Sequence, residues 1–349
     1  MRWRFSDLRK QIVARSGPLL SLLDGQRSWS GFVLEFLAVF VAGTAAMAAL
    51  IVIADPYKSG RFGVRWNLGI VDESPRTADV SRGRDPSFNA AVIGDSRGQL
   101  LDPARLSAMT AWKFVQLSVP GSGPREQLTI LRWFLQHHDG PVAIVLTTDD
   151  AWCTADPALP PVSPFPFWLY GSDFEYATHM LRPEALDRSL RRIMLAAGRR
   201  KASDPAGYWD YEIGRVWHFS APPAPAPAEL ASLAPLEPQR GFPAVEQLAA
   251  TLSESKDRIA LVMMFPPVHA TLLPRRDTAE AATIAQCKGA LGSLAQKYGI
   301  FLDFLVDGDM ARDPTNFMDQ IHYRAAVARR LEHAIAVAFA AEAQPQSSR

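Results

Sequence analysis

The chain has little cysteine and no surplus of either charge, and each shortage excludes a class of protein. Two cysteines among 349 residues, Cys153 and Cys287, supply neither a dense disulfide framework nor, by themselves, a structural zinc site. A single bridge and two buried thiols fit that pair equally well. Lys and Arg number 37 against 36 Asp and Glu, and a formal charge of +1 provides no field to draw in a nucleic-acid backbone. No nucleic-acid partner is expected. Wholesale disorder is excluded too, because 48% of residues are hydrophobic and 21% charged, so a buried core must carry the stability.

Long apolar runs are scarce as well, with one exception. Residues 36–54 (FLAVFVAGTAAMAALIVIA) carry no charge and, at ~1.5 Å per residue, match the hydrocarbon core of a bilayer. A cleaved signal peptide would place a shorter apolar region nearer the start, so the run reads as a retained transmembrane helix. Arg2, Arg4, Arg9, Lys10, Arg15 and Arg27 precede it against Asp7 and Asp24, a bias that predicts a cytoplasmic N-terminus and an extracytoplasmic remainder. The expected organisation is a basic segment at 1–31, an anchor at 32–55, one outer domain at 56–342 and a polar tail at 343–349.

In the outer portion, short β-rich runs alternate with helical patterns, the signature of βαβ units and a parallel sheet. Five strands are expected, at 89–93, 113–117, 142–147, 258–264 and 300–305, each apolar enough to be covered on both faces. Helices are expected at 124–138, 184–197, 278–298 and 325–341. Residues 151–243 hold fourteen of the 27 prolines, including APPAPAPA at 221–228, and read as an insertion. Its aromatics, among them Trp152, Trp168, Tyr170, Trp209 and Trp217, suit a satellite core better than a carbohydrate-stacking wall.

Ligands of open parallel sheets bind at the carboxyl ends of strands, which directs attention to the loops there. The first loop carries Gly94-Asp95-Ser96, a serine at a strand-to-helix turn with its hydroxyl at the rim. The second carries Gly121 ahead of a helix opening at Pro124, so its N–H groups can face an anion. After the last strand, Asp319 and His322 stand three apart, a spacing that lets a carboxylate orient an imidazole base. Arg97, Asp149, Asp150 and His269 fall on the same rim and are candidate substrate contacts, with a structural hydrogen-bonding role the commoner fate of a lone histidine such as His269. Neither a metal site nor a cofactor is expected. His137 and His138 read as an exposed helix end.

With those three blocks in that order, residues 88–340 resemble the SGNH/GDSL hydrolase superfamily. The resemblance implies a flavodoxin-like three-layer α/β/α domain, with Ser96 as nucleophile, His322 as base, Asp319 as its orienter, and Ser96 and Gly121 as oxyanion donors. One block departs from the pattern: where the family places an asparagine after the third strand, the chain reads Thr147-Thr148-Asp149-Asp150. One span followed by an outer domain is similar to the membrane-anchored branch of the superfamily, as are the DPY after the span, the PPxH at 266–269 and the NFxDxxHY at 316–323. That likeness implies a single-pass protein of a bacterial-type inner membrane with a periplasmic catalytic domain. It would act as esterase or O-acyltransferase on acyl, chiefly acetyl, groups of an envelope polysaccharide, with room for a membrane-bound partner. The alternative is a non-catalytic glycan-binding or assembly protein on the same fold.

Overall fold

The computed structural model describes residues 28–61, 69–71, 74–154, 156–158, 164–220, 241–255, 259–275 and 277–343. The basic stretch on which the expected orientation rests, the APPAPAPA run and the polar tail lie outside them. The chain is α/β, with an N-terminal helix long and apolar enough to cross a membrane.

That helix, α1, runs Trp29–Ala54 and begins several residues before the uncharged run, because the Ser28 hydroxyl accepts the N–H of Gly31 and starts the first turn. Its apolar side chains from Phe32 to Val41 are largely exposed, so no protein core covers them. Termination is local: Asp55 takes the left-handed conformation at φ 43°, and its carboxylate accepts the N–H groups of Ser59 (2.9 Å) and Gly60 (2.8 Å). The DPY texture is thus a helix stop.

The outer portion is built on a five-stranded parallel sheet, β1 Ala90–Ile93, β2 Phe114–Gln116, β3 Val142–Thr147, β4 Ile259–Phe265 and β5 Gly299–Asp303, in the order β2-β1-β3-β4-β5. Alternate side chains feed two cores. Ala91, Ile93, Ile144, Leu146, Leu261 and Met263 join one, under α4 Pro124–His137, α8 Pro243–Glu254 and α9 Ala279–Tyr298. Ala90, Val92, Ala143, Val145, Val262 and Met264 join the other, under α3 Pro103–Met109 and α11 Ala325–Ala343. Helices on both faces explain why the strands read as continuous apolar runs, each fully buried Val, Leu or Ile adding roughly 1.5–3 kcal/mol. At the β2 edge, the Gln116 N–H donates to Ala206 O (2.8 Å), which closes the open side of the strand.

The proline-rich insertion holds more helix than its composition suggests: α5 Ala151–Thr154, α6 Asp173–Thr178 and α7 Pro183–Ala196. Its aromatics divide among three cores rather than forming one wall. Trp152 enters the sheet core and donates to Gln127 Oε1 (2.8 Å), whereas Tyr211 and Trp217 flank the opposite face. Trp168, Tyr170 and Tyr176 form a third cluster with Ile51 of α1, Tyr57, Val80 of α2 (Pro75–Arg82) and Trp133 of α4. This collar welds the end of α1 to the domain. His138 departs from the expected exposed helix end, being buried with Nδ1 and Nε2 against Phe134 O (2.9 Å) and Asp85 O (3.2 Å).

Cys153 on α5 and Cys287 on α9 are joined in a disulfide, Cα–Cα 5.4 Å, across a sequence separation of 134 residues. Replacing both with serine is expected to lower the unfolding free energy by about 2–4 kcal/mol in a denaturant titration, because the long loop regains its freedom in the unfolded chain.

Candidate active site

The sheet order reverses between β1 and β3, and the crevice outside their carboxyl ends is where a parallel sheet of this order receives its ligand. A cleft of about 640 Å³ lies there, lined by Ser96, Gly121, Asp149 and His322 among others. Strand geometry dictates the glycine that opens the serine turn. A Cβ on Gly94 would stand 1.7 Å from Thr147 Oγ1 on the neighbouring β3, so only glycine lets the two strand ends approach. Gly121 meets a different demand, a left-handed φ of 66°.

Ser96 Oγ lies 2.8 Å from His322 Nε2, and His322 Nδ1 lies 2.7 Å from Asp319 Oδ2. The carboxylate holds the proton on Nδ1, so Nε2 is the face that accepts the serine proton. Asp319 Oδ1 also accepts the N–H groups of Ile321 and His322, both at 2.8 Å. Partial burial pulls the Asp319 pKa upward, but these hydrogen bonds outweigh it and hold the group below the usual carboxylate range. Among the described residues, no hydrogen bond engages the backbone N–H of Ser96 or Gly121, and both residues line the cleft.

A tight hairpin positions the pair. Phe317 and Tyr323 form an antiparallel bridge, with Met318 N donating to His322 O (2.8 Å) and Arg324 N to Asn316 O (2.8 Å). Tyr323 is fully buried and its hydroxyl donates to Arg97 O at 2.5 Å, fastening the residue after the base to the residue after the nucleophile. Tyr323 is the last residue of the NFxDxxHY motif, to which the sequence attached no role. It attached none to Gln116 either. Its side chain donates to Gly98 O (3.0 Å) and Leu101 O (2.9 Å) and accepts from Ser118 N (2.9 Å), bracing the turn after Ser96 from β2.

The four remaining rim candidates separate. Arg97 is buried and clamped between carboxylates, with Nε and Nη2 to Asp95 Oδ2 at 3.0 and 2.9 Å and Nη2 to Asp149 Oδ2 at 2.8 Å. Burial would lower its pKa, yet Asp95 and Asp149 more than offset this and keep it charged. Asp149 is pushed up by burial and by the Asp95 charge, against the pull of Arg97. The Asp149 carboxylate therefore faces a guanidinium, and among the described residues its other oxygen, Oδ1, has no hydrogen-bond partner. Asp150 is exposed on the cleft lining. His269 is buried outside the lining, with Nδ1 3.0 Å from Thr271 Oγ1 and its N–H donating to Gln320 O (2.9 Å), so it braces the hairpin from β4. Among the described residues no group of three or more His, Cys, Asp or Glu is arranged to hold a metal ion.

Removing Arg97 strands the buried Asp149 and the half-buried Asp95, so Arg97→Ala should lower stability by about 3–5 kcal/mol in a denaturant titration. Adding Asp149→Asn to that variant should recover part of the loss. Comparison of the chain with protein-family models gives no match, and comparison with curated proteins gives none either.

Proposed function

We propose that the chain is a membrane-anchored serine esterase or O-acyltransferase of SGNH type, acting on acyl groups of an extracytoplasmic polysaccharide. The observation that carries the reading is the Ser96–His322–Asp319 relay at 2.8 and 2.7 Å beside two unengaged backbone N–H groups. The five-strand order, which is that of flavodoxin-like sheets, supports the three-layer fold implied by the motif resemblance.

In the proposed reaction Ser96 Oγ attacks the acyl carbonyl while His322 Nε2 takes its proton, and Asp319 stabilises the imidazolium. The tetrahedral oxyanion accepts from the N–H groups of Ser96 and Gly121. Collapse expels the sugar hydroxyl, protonated by His322, and leaves an acyl-Ser96 that water or a second hydroxyl then relieves. Val268, Leu272, Ile284, Leu305 and Ile321 give the cleft an apolar side suited to the acyl group. No aromatic ring lines the cleft among the described residues, so sugar stacking plays no part in the reading.

Treatment of the full-length chain with a fluorophosphonate is expected to add one covalent mass increment, absent from Ser96→Ala and His322→Ala variants that keep the native circular dichroism. A folded wild type that gains none favours the binding or assembly alternative. For any ester turned over, protonation of Asp319 should enter the pH–rate profile only below the point where an ordinary carboxylate takes its proton. An Asp319→Asn variant with the wild-type rate at neutral pH would contradict the arrangement.

A further inference from the structure

Helix α7 carries two faces that the sheet does not use. Ala185, Ser189 and Arg192 point inward, and Arg192 reaches past the collar, donating from Nε to Ala54 O (2.6 Å), the last residue of α1. Beside that inward stripe, Leu186, Leu190, Ile193 and Met194 follow at helical spacing, and Leu190, Ile193 and Met194 are 49%, 37% and 45% exposed. A solvated helix has no reason to present three large apolar side chains together.

The length of α1 says where this stripe lies. Its 26 residues extend about 39 Å at 1.5 Å per residue, against about 30 Å of hydrocarbon in a bilayer. About six residues therefore fall at an interface. The collar residue Ile51 and the Ala54 carbonyl held by Arg192 are in the last four residues of α1, so α7 packs at the end of that helix, where it passes into the domain. Arg199, Arg200 and Lys201 follow α7 directly and are exposed, a charge that suits lipid phosphates.

We propose that α7 is an interfacial helix whose Leu190–Ile193–Met194 stripe is buried at the acyl–headgroup boundary of the bilayer that α1 spans. This rests on α1 being a span and is independent of the chemistry at Ser96.

Both cysteines of the chain are paired, so a single introduced cysteine takes a nitroxide label uniquely. Full-length Leu190→Cys and Met194→Cys, Val39→Cys within α1 and Ser293→Cys on the exposed side of α9 would be labelled and placed in phosphatidylethanolamine–phosphatidylglycerol nanodiscs. The measurement is the ratio of collisions with oxygen to those with a water-soluble nickel chelate. Expected is a high ratio at 39 and ratios at 190 and 194 at least about threefold above that at 293, as for a helix lying in the headgroup boundary. Ratios at 190 and 194 equal to that at 293, with 39 still deep, would overturn the interfacial helix alone. A nickel-accessible label at 39 would remove the span and the inference together.

Discussion

The guanidinium of Arg97 is the point at which three strand ends are held in one place. It stands on the turn after β1, takes Asp95 from its own turn and Asp149 from the end of β3, and its carbonyl receives the Tyr323 hydroxyl from the hairpin after β5. A buried charge of this kind contributes little net stability, because desolvation consumes most of the Coulombic gain. It contributes geometry instead. Ser96 and His322 belong to segments 226 residues apart, and their 2.8 Å separation depends on turns that carry no other direct link as short as the Tyr323 bond. The same ion pair directs Asp149 Oδ2 to a cation.

A second rigid connection runs from the site toward the membrane. Pro124 of α4 lines the cleft, while Trp133 on the same helix donates from Nε1 to Val80 O (3.0 Å) and packs in the collar with Ile51. Nine residues separate them, about 14 Å along a helix axis. Because the collar packs α1, α2, α4, α6 and α7 together, the cleft stands at a set distance from the end of the apolar helix. In the proposed function such a standoff selects acyl groups on chains held close to the membrane, where a long linker would have swept a volume.

Local pattern explains what was legible beforehand. The strands at 142–147 and 90–93 were readable because burial on both faces turns a strand into a continuous apolar run, and Gly94, Gly121 and the Asp319/His322 spacing were readable because turns constrain neighbours in sequence. Arg97 with Asp149 was not, since an ion pair between residues 52 apart leaves no periodicity to detect. The packing of α7 on α1 escaped for the same reason; α7 itself was legible at 184–197, whereas the short α5 and α6 of the insertion were concealed because one turn or so of helix shows no periodicity. Proline content there marked the starts of elements, Pro183 and Pro243 each opening a helix, more than an absence of structure.

The exposure of the relay bears on what relieves the proposed acyl-enzyme. Among the described residues the Asp319 side chain is 53% exposed and that of His322 30%, which puts the pair at the rim of the cleft. In the proposed second step, a proton acceptor open to solvent activates water as readily as a sugar hydroxyl, and water is always present at far higher concentration. Transfer to a glycan then requires the acceptor to occupy the cleft and exclude water before the acyl group arrives. The cleft such an acceptor would fill carries both signs of charge, Asp150 and Glu280 against Arg125, so in the proposed function exclusion of water rests on fit rather than on charge.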